Sequence, residues 1–93
     1  MSRVYQVKDA EQAHIKVYLT NNKQEADLIV TQVSNLLEAR APTHWFIEKD
    51  RLSASTWIFF TSTKAEADLS IYFSTDRLKA AVITSNPAIR QLR

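Results

Sequence analysis

Alanine recurs at Ala13, Ala26, Ala39, Ala54, Ala67 and Ala80, thirteen residues apart at every step but one, where the gap is fifteen. A fixed period marks a repeat architecture, in which one short supersecondary unit is copied along the chain. A two-residue insertion within Ala41-Pro42-Thr43-His44 accounts for the longer gap. Other columns keep the same register. Val4, Val17, Val30, Trp45, Ile58 and Ile71 form one, and Tyr5, Tyr18, Thr31, Phe46, Phe59 and Tyr72 the next. Both are rich in the β-branched and aromatic residues that favour strands. Gln6, Leu19, Gln32, Ile47, Phe60 and Phe73 follow before the pattern turns polar.

Further along each unit stand Asp9, Asn22, Asn35, Asp50, Thr63 and Asp76, all of them good helix N-caps. Three residues later come Gln12, Glu25, Glu38, Ser53, Glu66 and Lys79, four of which complete a capping box. The alanine follows at once, small enough for a helical turn to sit close to what it packs on. Each unit therefore reads as a four-residue strand, a polar step, a capped helical turn and a return. The units lie near 4–16, 17–29, 30–44, 45–57, 58–70 and 71–83, with a tail at 84–93. The fold class expected is α/β, with six strand-plus-helical-turn repeats in one domain.

Stretches such as Tyr18-Leu19 and Trp57 to Phe60 are apolar on both strand faces, which predicts burial of both. About nine residues join consecutive strands, tight for a parallel crossover between neighbours. Consecutive strands are therefore expected not to be simple neighbours, with the chain winding between layers instead. The chain has no glycine. Every turn must then use negative φ, or Asn or Asp in the left-handed region. In the tail, Pro87 prevents a regular strand, and Ile89 with Leu92 can dock a last helical turn or fray.

Val17-Tyr18 to Glu25-Ala26-Asp27-Leu28, and Ile58-Phe59 to Glu66-Ala67-Asp68-Leu69, resemble the small bacterial proteins of the Septknot family. The resemblance covers residues 3 to 84. It implies a compact α/β fold tied in a seven-crossing torus knot, with no established activity. Four copies lack the aspartate, reading Ala13-His14, Ala39-Arg40, Ala54-Ser55 and Ala80-Ala81.

No residue pattern specifies a reaction. Asp27 and Asp68 occupy equivalent positions and could converge as acid and base, but carboxylates accepting backbone N–H groups are the preferred reading. His14 and His44 lack metal-binding spacing, and there is no cysteine to join them. Without glycine, neither a phosphate-binding loop nor a nucleophile elbow can form around Ser53, Ser55, Thr61, Ser62 or Thr63. We therefore expect no catalytic, cofactor-binding or metal-binding residues, and a non-enzymatic structural or protein-interaction module. The alternative is a small nucleic-acid-binding protein using Arg77, Lys79, Arg90 and Arg93. Lys49 and Arg51 form a second basic cluster near Trp45, Phe46 and Trp57, whose rings are expected in the core. A net charge of +2 is only a slight basic bias. The longest apolar run, Trp57 to Phe60, is too short to span a bilayer, and a cytoplasmic monomer or weak homodimer is expected.

Overall fold

The computed structural model describes residues 2–92. Its strands are β1 (Arg3–Gln6), β2 (Ile15–Leu19), β3 (Leu28–Gln32), β4 (His44–Ile47), β5 (Thr56–Thr61), β6 (Leu69–Phe73) and β7 (Ala81–Val82). Between them stand single 3-10 turns: η1 (Ala10–Gln12), η2 (Lys23–Glu25), η3 (Leu36–Glu38), η4 (Arg51–Ser53), η5 (Lys64–Glu66) and η6 (Arg77–Lys79). A longer 3-10 segment, η7 (Pro87–Leu92), follows β7.

The expected helical turns are therefore 3-10, with bonds such as Gln12 N–H to Asp9 O and Ala13 N–H to Ala10 O. Only three residues separate each cap from its alanine, and five of the six alanines are already extended, with ψ of 126–146°. The greater rise of a 3-10 turn also returns the chain along the strand length in fewer residues.

All six expected caps are caps. Asp9, Asn22, Asn35, Asp50 and Asp76 each accept from the backbone N–H two residues on, while Thr63 makes no such bond. The capping-box glutamates do not reach back to the cap N–H among the described residues. That donor is met at three caps by a hydroxyl two residues upstream: Thr20 for Asn22, Thr61 for Thr63 and Ser74 for Asp76. No described residue has positive φ, so the turns dispense with glycine by staying right-handed.

The sheet order is β4-β1-β5-β2-β6-β3-β7, and β3 also pairs with β4. Strands β1 to β6 thus close into a parallel barrel, while β7 lies antiparallel on β3. Most consecutive strands are separated by one other strand, as the short connections predicted, but around a closed barrel and not between two layers; β3 and β4, joined by the connection that carries the insertion, are direct neighbours. Counted round the six barrel strands, each step from β1 to β6 advances two places except β3 to β4, which advances one. The chain therefore circles the barrel axis about one and a half times between β1 and β6 and continues past β3 to β7.

Inside lie the residues of the first column, Val4, Val17, Val30, Trp45, Ile58 and Ile71, all 0–1% exposed. Ile15, Leu28 and Leu69 join them. The insertion serves this packing: Trp45 Nε1 donates to Pro42 O at 2.7 Å, anchoring the indole. The second column is not buried as expected. Tyr5, Tyr18, Phe46, Phe59 and Tyr72 face outward and are half-buried, because a three-residue turn is too narrow to cover a strand. Lys23 on η2, for example, places Nζ 5.5 Å from the Tyr72 ring centre. Trp57 is also half-buried, so of the three aromatics expected in the core only Trp45 is there.

The tail is docked and not frayed. Ile89 and Leu92 of η7 enter the core cluster beside Val4, Ile15 and Leu28. Ser2 Oγ donates to Leu92 O at 2.6 Å, and Thr56 Oγ1 donates to Gln91 O. Both hydroxyls belong to residues at or just before the start of a strand, so η7 plugs the barrel mouth at the strands' N-terminal ends.

Candidate functional site

After four of the six alanines the next residue has a common task. As the chain turns into a strand, this residue pairs twice with one residue of the neighbouring strand. Asp27 N–H donates to Ser70 O at 2.7 Å, and its Oδ2 accepts from Ser70 N–H at 2.9 Å. Asp68 treats Lys16 in the same way, at 2.8 Å for both bonds. His14 N–H donates to Trp57 O, and its Nδ1 accepts from Trp57 N–H at 2.9 Å, which puts the proton of the neutral ring on Nε2. Ser55 makes the same pair with Arg3. A side-chain acceptor here replaces the backbone carbonyl that the turning chain cannot offer, so the neighbour's N–H stays satisfied.

Asp27 and Asp68 are therefore structural acceptors, as preferred, though their donors lie on the next strand and not within their own turns. Asn86 links their surroundings: its Nδ2 donates to Asp27 Oδ2 at 3.1 Å and to Asp68 O at 2.8 Å. Thr84 Oγ1 adds a bond to Asp27 Oδ1 at 2.7 Å. These bonds fasten the tail to two strand starts. Beside them His14, Asp68, Asn86 and Gln91 line an open depression of about 430 Å³.

The basic residues are dispersed. Arg77 sits on η6 with Nη2 2.8 Å from Glu38 Oε2 on η3. That oxygen has no hydrogen-bond partner, so the approach is off the bonding direction and the pairing is Coulombic. Both side chains are substantially exposed, so the pair adds little to stability. Arg77 shares a depression of about 400 Å³ with Leu37, Glu38, Arg40 and His44, whereas Arg90 lines a different one with Val82 and Ile89. Lys79 is exposed on η6, and Arg93 lies outside the described residues. The proposed nucleic-acid contacts thus do not converge on one depression. The second basic cluster fares differently. Arg51 lies 5.2 Å from the Trp57 ring centre, and His14 stacks on the same indole at 5.6 Å and 20°. Lys49 is exposed nearby in sequence, but Trp45 takes no part.

Sequence reasoning missed the middle residue of each turn. Going round the six turns this position reads Glu11, Gln24, Leu37, Leu52, Ala65 and Leu78. Leu37, Leu52 and Leu78 are 63%, 86% and 95% exposed. Leucines in a capped, hydrogen-bonded turn pointing outward are the signal, and they stand in plain view in the repeat alignment.

Among the described residues no group of three or more His, Cys, Asp or Glu is placed to hold a metal ion, and no helix is long and apolar enough to cross a membrane. A family model, Septknot, described as a 7(1) septoil knot domain, matches residues 1–83. No curated protein and no solved structure matches the chain. The family implies a seven-crossing torus knot, and a chain that passes more than once round the barrel axis is compatible with that winding.

Proposed function

The chain belongs to the Septknot family of knotted domains, and we propose that it works without catalysis, as a rigid module that binds another protein. The observation that carries this reading is the exposure of Leu37, Leu52 and Leu78 on turns that are otherwise fully capped. A leucine 95% exposed contributes almost nothing to its own fold by burial, and each of the three leaves apolar area to bury elsewhere. The side chains with catalytic potential are already engaged. Asp27, Asp68, His14 and Ser55 each hold a neighbouring strand, and altering their bonds would loosen the barrel.

The nucleic-acid reading has less support, because Arg77 is paired with Glu38 and lines a different depression from Arg90. Native co-purification of the full chain at low salt, with and without nuclease, tests the two. A protein that remains bound after nuclease is the expected result. Material lost on nuclease treatment, and affinity falling steeply with salt, would replace this reading with nucleic-acid binding through released counterions.

A further inference from the structure

Of the four strand starts that bond twice to a neighbouring strand, one differs in the chemistry of its acceptor. Asp27, Asp68 and Ser55 offer an oxygen to the N–H groups of Ser70, Lys16 and Arg3. His14 offers Nδ1 to Trp57 N–H at 2.9 Å. Carboxylates and hydroxyls keep their lone pairs across the neutral range, whereas histidine ordinarily changes charge between about pH 5 and 8. An imidazolium carries a proton on both ring nitrogens and accepts no hydrogen bond. Once the ring is charged, Trp57 N–H faces a donor where its acceptor stood.

The charges around the ring act in one direction. The neutral imidazole stacks on the Trp57 indole at 5.6 Å and 20°. Arg51 of η4 lies 5.2 Å from the same ring centre. That guanidinium already takes the attraction an indole offers to a cation, and it repels a second one. Tyr5 of β1 meets the indole too, at 6.3 Å and 60°, and brings a phenol. On the other side Asp68, at the start of β6, lines the open depression that His14 also lines, where η7 contributes the uncharged Ala88 and Gln91. Nearest along the chain are Glu11 in η1 and Lys16 in β2. Repulsion from Arg51 and attraction to Asp68 both draw an imidazolium away from Trp57 and into the depression.

We propose that the junction of His14 with Trp57 is a pH-sensitive latch, closed while the imidazole is neutral and half open once it is charged. It opens only halfway, because His14 N–H to Trp57 O, at 2.8 Å, does not involve the ring. The ladder that begins at Ile15 and Ile58 is likewise untouched. Acid thus loosens one strand start between β2 and β5 and uncovers part of the Trp57 indole, while the barrel stays closed and the other three starts hold.

The repeat provides its own control. Amide exchange of the full chain is read as protection factors, which removes the pH dependence of the intrinsic exchange rate. An ordinary hydrogen bond is worth about two- to tenfold in such a ratio. The Trp57 amide is expected to lose about that factor between about pH 8 and pH 5, in step with protonation of the His14 ring followed by NMR. The amides of Ser70, Lys16 and Arg3 are expected to hold. His14 is exposed, so replacing it leaves the core intact. His14→Asp, which copies the starts at Asp27 and Asp68, should keep Trp57 protected at both pH values, and His14→Ala should leave it weakly protected at both. Trp57 protection that persists while the ring protonates overturns the latch, and so does a ring that stays neutral throughout this range. Equal loss at all four amides, or an undiminished response in His14→Asp, overturns it as well, since the loosening would then not come from His14.

Discussion

Replacing Leu92 with alanine measures how far η7 belongs to the core. Leu92 is fully buried in the cluster that contains Val4, Ile15 and Leu28. The substitution removes three carbon atoms, or about 2.4 kcal/mol at roughly 0.8 kcal/mol per buried methylene. A rigid site would add a cavity term and bring the loss to about 3–4 kcal/mol. η7 lies outside the strand ladder, however, held by Ser2 Oγ on Leu92 O, Thr56 Oγ1 on Gln91 O and the Asn86 bonds. It can detach, and detachment limits the loss to the docking free energy of the segment itself. Ile89, 4% exposed, is its other anchor. We expect about 2–3 kcal/mol for Leu92→Ala, a similar loss for Ile89→Ala, and a double variant well short of the sum. Urea unfolding followed by the fluorescence of Trp45 and Trp57 gives these values. A loss below about 1 kcal/mol for Leu92→Ala would refute the packing argument. Full additivity would refute detachment, and η7 would then unfold only with the barrel.

Ala26 and Ala39 are buried and Ala67 only half-buried, so Ala39→Leu should cost about 1–3 kcal/mol in urea unfolding and Ala67→Leu clearly less. Thr63 is the one cap without a side-chain bond, and Thr63→Asp should supply it and raise stability by about 0.5–1 kcal/mol, read as a higher melting midpoint. Asp27→Ala removes the acceptor for Ser70 N–H, Thr84 Oγ1 and Asn86 Nδ2, and should cost about 1–3 kcal/mol while speeding amide exchange at Ser70. Stopped-flow unfolding beyond the urea midpoint should be slow for a chain of this size, because a knotted path must be withdrawn from itself; a fast single phase would count against the knot.

Much of the fold was legible because the repeat reports on several kinds of force at once. The Val4 column is inside since an apolar β-branched residue repeated at one strand position has nowhere better to go. The Asp9 column caps since each turn leaves its first N–H groups without partners. Periodicity could not give the partner of each strand, because pairing is decided by winding and not by local preference. The second column misled for a related reason: Tyr18 and Phe59 look like core residues, but whether a turn covers an outer face depends on its breadth. The strand-start acceptors were half visible. Asp27 and Asp68 stood out as identical, while His14 and Ser55 read as departures although each offers an acceptor in the same place. Arg40, just before the insertion, and Ala81, the first residue of the antiparallel β7, are the true departures. At the insertion a backbone carbonyl does the work, with Thr31 N–H donating to Thr43 O at 2.9 Å.

The strand order also says something about the chain cut in two. Read round the sheet, strands from the first half of the sequence alternate with strands from the second: β4, β1, β5, β2, β6, β3, β7. Strand partners such as Lys16 and Asp68 lie 52 residues apart, and those such as Asp27 and Ser70 lie 43 apart. A fragment ending before Pro42 would hold three strands with no partner among them, and so would remain unfolded on its own. The remainder would hold β4 to β7, again with no two of them adjacent. Each fragment is the other's complete set of neighbours, so the two should fold only when mixed, by interleaving like the fingers of two hands. The same interleaving can draw its second half from another molecule, which makes a half-exchanged dimer the natural misassembly of this chain at high concentration.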